Sequence, residues 1–377
     1  MQSPIMKSTL VAAAALVCAS GALAQEQIVK IGHSGPLSGP NTFAGRDNDN
    51  GVRLAIEELN ARKINVGGKT LKFELVSEDD QCDAKTGVAV AQKFVDSGVR
   101  YVMGPYCSGV TIPASRVYDN GGTLVSTVGT NPKITQSGYK NLFRIVASDV
   151  QAGASMAAYA ANVLKAKKVG VIDDRTAFGQ GLADEFAKEA QKLGMTVAGR
   201  EFTNDKATDF MAILTTFKAK QPEAIFYGGY APQAAPMARQ MKQLGVRAKL
   251  LGGDTLCSPE MGKLGGDAVN DVVYCAYAGM LMDSDAGAKA FQEKFAKRFG
   301  QNPDVYSPFY YDQVINIGEA MQKSGSIDPA KVGAYIHQNA HKGVMGEYAY
   351  DDKGNRIKAP VVVMTFEGGK AKPLASY

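Results

Sequence analysis

The 377-residue chain has no tryptophan, only three histidines and no dense run of lysine and arginine. Its formal net charge of +5 is too mild for the electrostatic footprint of a nucleic-acid-binding protein. No stretch reaches the roughly 18 consecutive apolar residues of a membrane span, so no stable membrane insertion is expected. There is no Cys-x-x-Cys, and no histidine lies near a cysteine in sequence, which speaks against zinc. The phosphate loop G-x-x-x-x-G-K-[ST] is absent. A nucleophile elbow is nearly met at Gly32-His33-Ser34-Gly35, but Pro36 occupies its last glycine position. The nearest dinucleotide fingerprint, Gly179-Gln180-Gly181, has Asp184 where a glycine belongs, and that acid would repel a pyrophosphate. His337 and His341 are spaced four apart on an expected helix, but with no third ligand they read as solvated surface residues. We therefore expect no metal, no cofactor, no catalytic residue and no enzyme.

What is present fits an exported globular protein. Hydrophobic residues make up 45% and charged residues 21%, which excludes a disordered or fibrous chain. Residues 1–24 read as a cleaved signal peptide: Lys7, an apolar stretch from Thr9 to Val17, and Ala22-Leu23-Ala24 before a mature start at Gln25. Val17 before Cys18 does not make a lipobox. Four cysteines then remain: Cys82, Cys107, Cys257 and Cys275. An even count in an oxidising compartment signals disulfides. Three connectivities are open, the local pairs being the simplest, and four buried free thiols are the alternative.

The remaining chain alternates short apolar strands with amphipathic helices. Ile28–His33, Thr70–Ser77, Val99–Gly104, Thr123–Ser126 and Phe143–Val146 read as strands, separated by helices such as Asp47–Lys63 and Ala84–Ser97. The alternation restarts near residue 150 with Lys168–Asp173, Thr196–Phe202, Ala224–Tyr227, Lys249–Gly252 and Asp271–Ala276. Glu347–Tyr350 and Val361–Phe366 read as a closing hairpin turning at Asp351–Asn355. Two parallel sheets covered on both faces follow, each with its own lobe. In such sheets a ligand sits outside the carboxyl ends of the strands. The loops there hold Ser108 and Thr130, which can cap helices or donate to a carboxylate, and Asp254, Tyr230 and Phe178, suited to an ammonium and an apolar wall. The acid pairs Asp79-Asp80 and Asp173-Asp174 read as helix caps or loop anchors.

Several fragments, in order, resemble the periplasmic Leu/Ile/Val-binding proteins of branched-chain amino acid ABC transporters. They are Ile31–Gly45, Glu78–Asp83, Val102–Ser115, Gly129–Thr135, Phe178–Gly181, Phe226–Tyr230 and Met345–Gly354. The resemblance implies an α/β type I periplasmic binding protein fold: two Rossmann-like lobes with parallel sheets and a three-crossing hinge. It implies an N-terminal lobe of residues 25–147 plus 279–345 and a C-terminal lobe of 148–278 plus 346–377. It implies a Cys82–Cys107 disulfide; Cys257 and Cys275 are not a general family feature, and their pairing stays open. The ligand carboxylate is expected at Ser108 and Thr130 with backbone from Tyr106 and Cys107. The ammonium is expected at Asp254, Tyr230 and the carbonyl near Val128 and Gly129, with Phe178 on the side-chain pocket. An aromatic residue of the family falls at Phe43 or Ala44, and Asp254 replaces the usual glutamate. The implied function is capture of an α-amino acid, branched-chain or aliphatic first, by a monomer that delivers it to permease subunits from the periplasm. An aromatic amino acid or small carboxylate, or a ligand-presenting sensor role, are the alternatives.

Overall fold

The computed structural model describes residues 26–279 and 286–377; the expected leader, with Lys7, Cys18 and the cleavage site, lies outside the described residues. Strands β1 (Glu26–Gly35), β2 (Asn65–Val66), β3 (Lys69–Asp79), β4 (Tyr101–Met103), β5 (Leu124–Thr127) and β6 (Leu142–Arg144) form one sheet in the order β2-β3-β1-β4-β5-β6. Its pairings are parallel except that of β2 with β3. The inner strands β4 and β5 are buried along their whole length, as expected where helices cover both faces. Helix Thr42–Arg62 covers one face with Val52, Ala55, Ile56 and Leu59, at helical spacing, and packs on helix Ser307–Ser324.

The second sheet takes β7 (Lys168–Asp173), β8 (Thr196–Phe202), β9 (Ala224–Gly228), β10 (Lys249–Gly252) and β11 (Val273–Tyr277). A separate hairpin, β12 (His341–Gly343) with β13 (Gly346–Tyr348), precedes the last two strands, β14 (Val362–Glu367) and β15 (Lys370–Ser376). The order is β15-β14-β11-β10-β9-β7-β8. The core of this half includes Phe186 stacked on Phe226, ring centroids 4.1 Å apart. The first passage between the sheets leads from β6 into helix Asp149–Asn162, whose start is fixed by a Ser148/Gln151 capping box. Among the described residues no helix is long and apolar enough to cross a membrane.

Two expectations are corrected. Glu347–Tyr350 and Val361–Phe366 do not pair with each other. β13 folds back on β12, while β14 inserts antiparallel between β11 and β15. Val362 and Val363 are buried among core side chains, and the polar strand β15 supplies the exposed edge that alternation alone did not flag. The Asp351–Asn355 turn does form, but it lies on the first sheet: the Arg144 N–H donates to the Gly354 carbonyl at 2.8 Å. The second correction concerns the histidines. The helix ends at Gln338, and His341 lies in β12, buried beside Tyr348. The His337 ring nitrogens meet the carbonyls of Lys140 and Asp351. The first helix also starts at Thr42, five residues before the expected Asp47, and takes in the end of the expected loop.

Candidate functional site

The site is built from strand ends. After β4 the chain runs through Gly104, whose φ of +119° and 2.1 Å approach of a hypothetical Cβ to the Ser34 carbonyl allow no side chain. Tyr106 and Cys107 follow, and helix Ser108–Asn120 starts at Ser108. After β5 come Val128, Gly129 and Thr130. Hydroxyls tie these two loops together. Thr127 Oγ1 donates to the Pro105 carbonyl at 2.7 Å and accepts from the Gly129 N–H at 2.9 Å. Ser108 Oγ accepts from the Asn131 N–H at 3.3 Å. Arg144, buried at the end of β6, donates to the carbonyls of Thr130 at 2.8 Å and Asn131 at 2.9 Å.

The second sheet faces this pair with Phe178, Tyr230 and Asp254, which follow β7, β9 and β10. Tyr106, Ser108, Val128, Thr130, Phe178 and Tyr230 line one narrow cavity together with Thr255 and Tyr306. Tyr106 and Tyr230 meet across it with centroids 6.1 Å apart, and Tyr306 packs edge-on against Tyr106 at 5.5 Å. Cys107 lines a second cavity with Cys82 and Lys206, while Gly129 is not on the wall of the first and packs against Ile134 and Thr127. Cys82 pairs with Cys107 and Cys257 with Cys275, each at a Cα separation of 5.5 Å. The disulfides thus staple both candidate loops, at Cys107 and just after Asp254.

The lobes are closed on each other. Asn131 Nδ2 donates to the Ala177 carbonyl at 2.7 Å, and Ser258 Oγ donates to Asp304 Oδ2 at 2.8 Å. Gly181 lies so close to Asn131 Nδ2, 2.4 Å from a hypothetical Cβ, that a side chain there would have to displace the Asn131 amide.

The electrostatics of the cleft are acidic. Asp254 is buried; Oδ1 accepts from the Thr255 N–H at 3.1 Å, and the Tyr306 phenol stands beside the carboxylate. Burial pushes its pKa up to about 6, and no ion pair of Asp254 exists among the described residues. Asp149, at the start of the helix after the first crossing, is pushed up to about 8 by burial, opposed by Thr130 and reinforced by Asp254. It therefore keeps its proton at neutral pH, and Asp254 carries the charge. The strand-end acids outside the cavity are loop anchors. Asp79 accepts from the Leu37 N–H and the Ser38 hydroxyl, and Asp173 pairs with Arg200 at 3.0 Å. Among the described residues no group of acids, histidines and cysteines suits a metal.

These raised carboxyls give a sign to pH dependence. Unfolded, Asp254 and Asp149 release their protons near pH 4; folded, they hold them to about pH 6 and 8. Between those limits the folded state binds more protons, so their contribution makes ligand-free stability fall as pH rises from 4 to 8. Urea titrations across that range should show a declining unfolding free energy that flattens when both residues are replaced by asparagine. An unchanged slope in the double variant would contradict the assignment.

Strand-end reasoning reaches the loop that holds Thr255 without giving that residue a role, and it does not find Tyr306 or Asp149. Thr255 is adjacent to Asp254 and within reach of that reasoning. Tyr306 and Asp149 arrive with helices after the crossings, where no strand-end rule applies.

Known proteins share this architecture. A family described as periplasmic binding protein matches residues 28–371. The chain is 36% identical over 373 residues to Leu/Ile/Val-binding protein homolog 1 of Brucella abortus (strain 2308), covering 97% of each. It is 35% identical over 343 residues to an amino acid binding protein of Pseudomonas aeruginosa, covering 90% of each. The crystal structure of the leucine binding protein LivK from Thermotoga maritima superposes with a TM-score of 0.84 at 28% identity, covering 92% of this chain and 98% of that one. The fold, the strand-end site and these matches together make the chain a member of the periplasmic binding protein family.

Proposed function

We propose that this protein captures an α-amino acid between its lobes in the periplasm and delivers it to an ABC permease, without catalysis. The observation that carries the reading is Asp254: a buried, cation-free carboxylate held against Thr255 and Tyr306, which line one cavity together with the hydroxyl residues Ser108 and Thr130. A buried charge of this kind is costly alone and favourable once an ammonium meets it. The Ser108 end supplies backbone N–H groups at a helix start and a hydroxyl for the carboxylate. Asp254, Tyr230 and the carbonyl near Val128 take the ammonium. Phe178, Tyr106 and Phe43 bound the side chain, and the names of the relatives favour leucine, isoleucine and valine as ligands.

The lobes we assign follow the sheets: 25–147 with 279–345, and 148–278 with 346–377. Residues 350–356 are the exception within the last stretch and ride with the first lobe, because Asn355 bridges to Arg144 and the Arg356 N–H donates to the Arg144 carbonyl at 3.2 Å. The ligand docks on the first lobe, and closure adds the contacts of the second; its higher affinity for the closed form drives the change. We expect a single chain to be the working unit.

The test is thermal unfolding of ligand-stripped protein against the twenty amino acids and simple carboxylates. A ligand at a hundred times its Kd should stabilise by about 2.7 kcal/mol, a shift of several degrees. Shifts with leucine, isoleucine or valine support the reading. A shift with carboxylates and with no amino acid would overturn it.

A further inference from the structure

The cavity continues beyond Tyr306. An adjoining space shares Tyr106, Thr255 and Tyr306 with it and extends to Phe43, Asn48, Ser258 and Asp304. With the ligand backbone held at the strand ends, a side chain reaching past Tyr306 has to open this narrow extension. Its first wall is apolar and its far wall is not. Asn48, presented by helix Thr42–Arg62, is 1% exposed, and neither its Nδ2 nor its Oδ1 has a hydrogen-bond partner. A buried amide in that state is costly, so the side chain is matched to something that enters the cavity.

The neighbouring groups decide what that is. Both oxygens of Asp304 are already engaged, Oδ2 by the Ser258 hydroxyl at 2.8 Å and Oδ1 by the Val305 N–H at 2.7 Å. Asp304 thus has donors from the protein on both oxygens, and Asn48 is the side chain of this wall left without any. Asn48 presents one donor group and one acceptor. A cationic side chain brings donors only and leaves Nδ2 unpaired. A carboxylate brings acceptors only and meets Asp304. An aliphatic group satisfies neither atom, and a hydroxyl, with donor and acceptor on one oxygen, does not span both Nδ2 and Oδ1. A carboxamide brings a donor and an acceptor side by side, the complement of Asn48.

We infer that the far end of the cleft is an amide-recognising subsite, in which Asn48 pairs with the side-chain carboxamide of an α-amino acid. The ligand range then extends from branched-chain residues to asparagine and glutamine. This rests on the amino-acid reading above. Thr255 and Ser258 belong to the second lobe and Asn48 to the first, so the amide is enclosed only when the lobes close.

Calorimetric titration of ligand-stripped protein with L-glutamine, L-asparagine and L-leucine tests this. In the wild type, at least one amide ligand should bind with a Kd within tenfold of that for leucine. In Asn48→Leu the ratio of amide to leucine affinity should fall at least tenfold. Asn48→Thr serves if the leucine variant does not fold, and the wild-type comparison needs no variant. Leucine binding with no detectable binding of either amide ligand overturns the subsite and leaves the backbone clamp standing. An unchanged affinity ratio in the variants also overturns it. No binding of any amino acid overturns both.

Discussion

Asp254→Asn should lower the affinity for an α-amino acid by two orders of magnitude or more. Removing one member of a buried charge pair costs about 3–5 kcal/mol, which is roughly a 100- to 4,000-fold change in Kd. The same substitution should stabilise the ligand-free protein. At pH 7.5 the buried carboxylate of Asp254, its pKa pushed up to about 6, is ionised with no cation against it. A neutral amide removes that desolvation cost, about 1–3 kcal/mol for a shift of this size. Opposite signs for binding and stability separate a ligand-facing carboxylate from a structural one. Calorimetry and urea unfolding at pH 7.5 measure both. A variant that binds normally, or that loses stability in parallel with affinity, would contradict the role given to Asp254.

The second large effect is expected at Arg144. Its guanidinium is buried and donates to the carbonyls of Thr130 and Asn131, to Thr135 Oγ1 and to Asn355 Oδ1. It thereby fixes the loop that carries Thr130 and ties that loop to the segment after the final hairpin. Arg144→Met fills much of the volume but leaves several buried acceptors without a donor, at about 1–3 kcal/mol for each such group. We expect a loss of about 3–5 kcal/mol in unfolding free energy, in the range of a broken buried charged network. Affinity for the amino acid should fall as well, because the Thr130 loop loses its anchor. A loss of less than 1 kcal/mol in denaturant titration would show that the guanidinium is not the anchor described.

The parts of the molecule written in local periodicity can be read directly from the sequence. Strands such as Lys168–Asp173 and Ala224–Gly228 show themselves as apolar runs bounded by turn residues, and the loops after them follow from the strand-end rule. That is why Tyr106, Ser108, Val128, Thr130, Phe178 and Tyr230 are legible in the sequence as candidate site residues, and the fold brings them together around one cavity. What depends on partners distant in sequence is not legible. β14 is a core strand because β11 and β15 flank it, and the sequence near residue 362 does not say which strand it will join. Asp47, Asn48 and Asp49 read as a polar helix start, yet all three are buried by contacts with distant segments, such as Asp49 with His33 and Ser77. Tyr306 enters the site only because helix Ser307–Ser324 packs on helix Thr42–Arg62, more than 240 residues earlier.

One cleft that grips both the ammonium and the carboxylate of its ligand must discriminate against molecules lacking either group. Calorimetric titration of ligand-stripped protein tests this with L-leucine, with 4-methylpentanoate, which lacks the amino group, and with 3-methylbutylamine, which lacks the carboxylate. Leucine should bind measurably, and each analogue at least a hundredfold more weakly. Binding of 4-methylpentanoate as tight as that of leucine would contradict the two-ended grip, since Asp254 would then have no cation to meet.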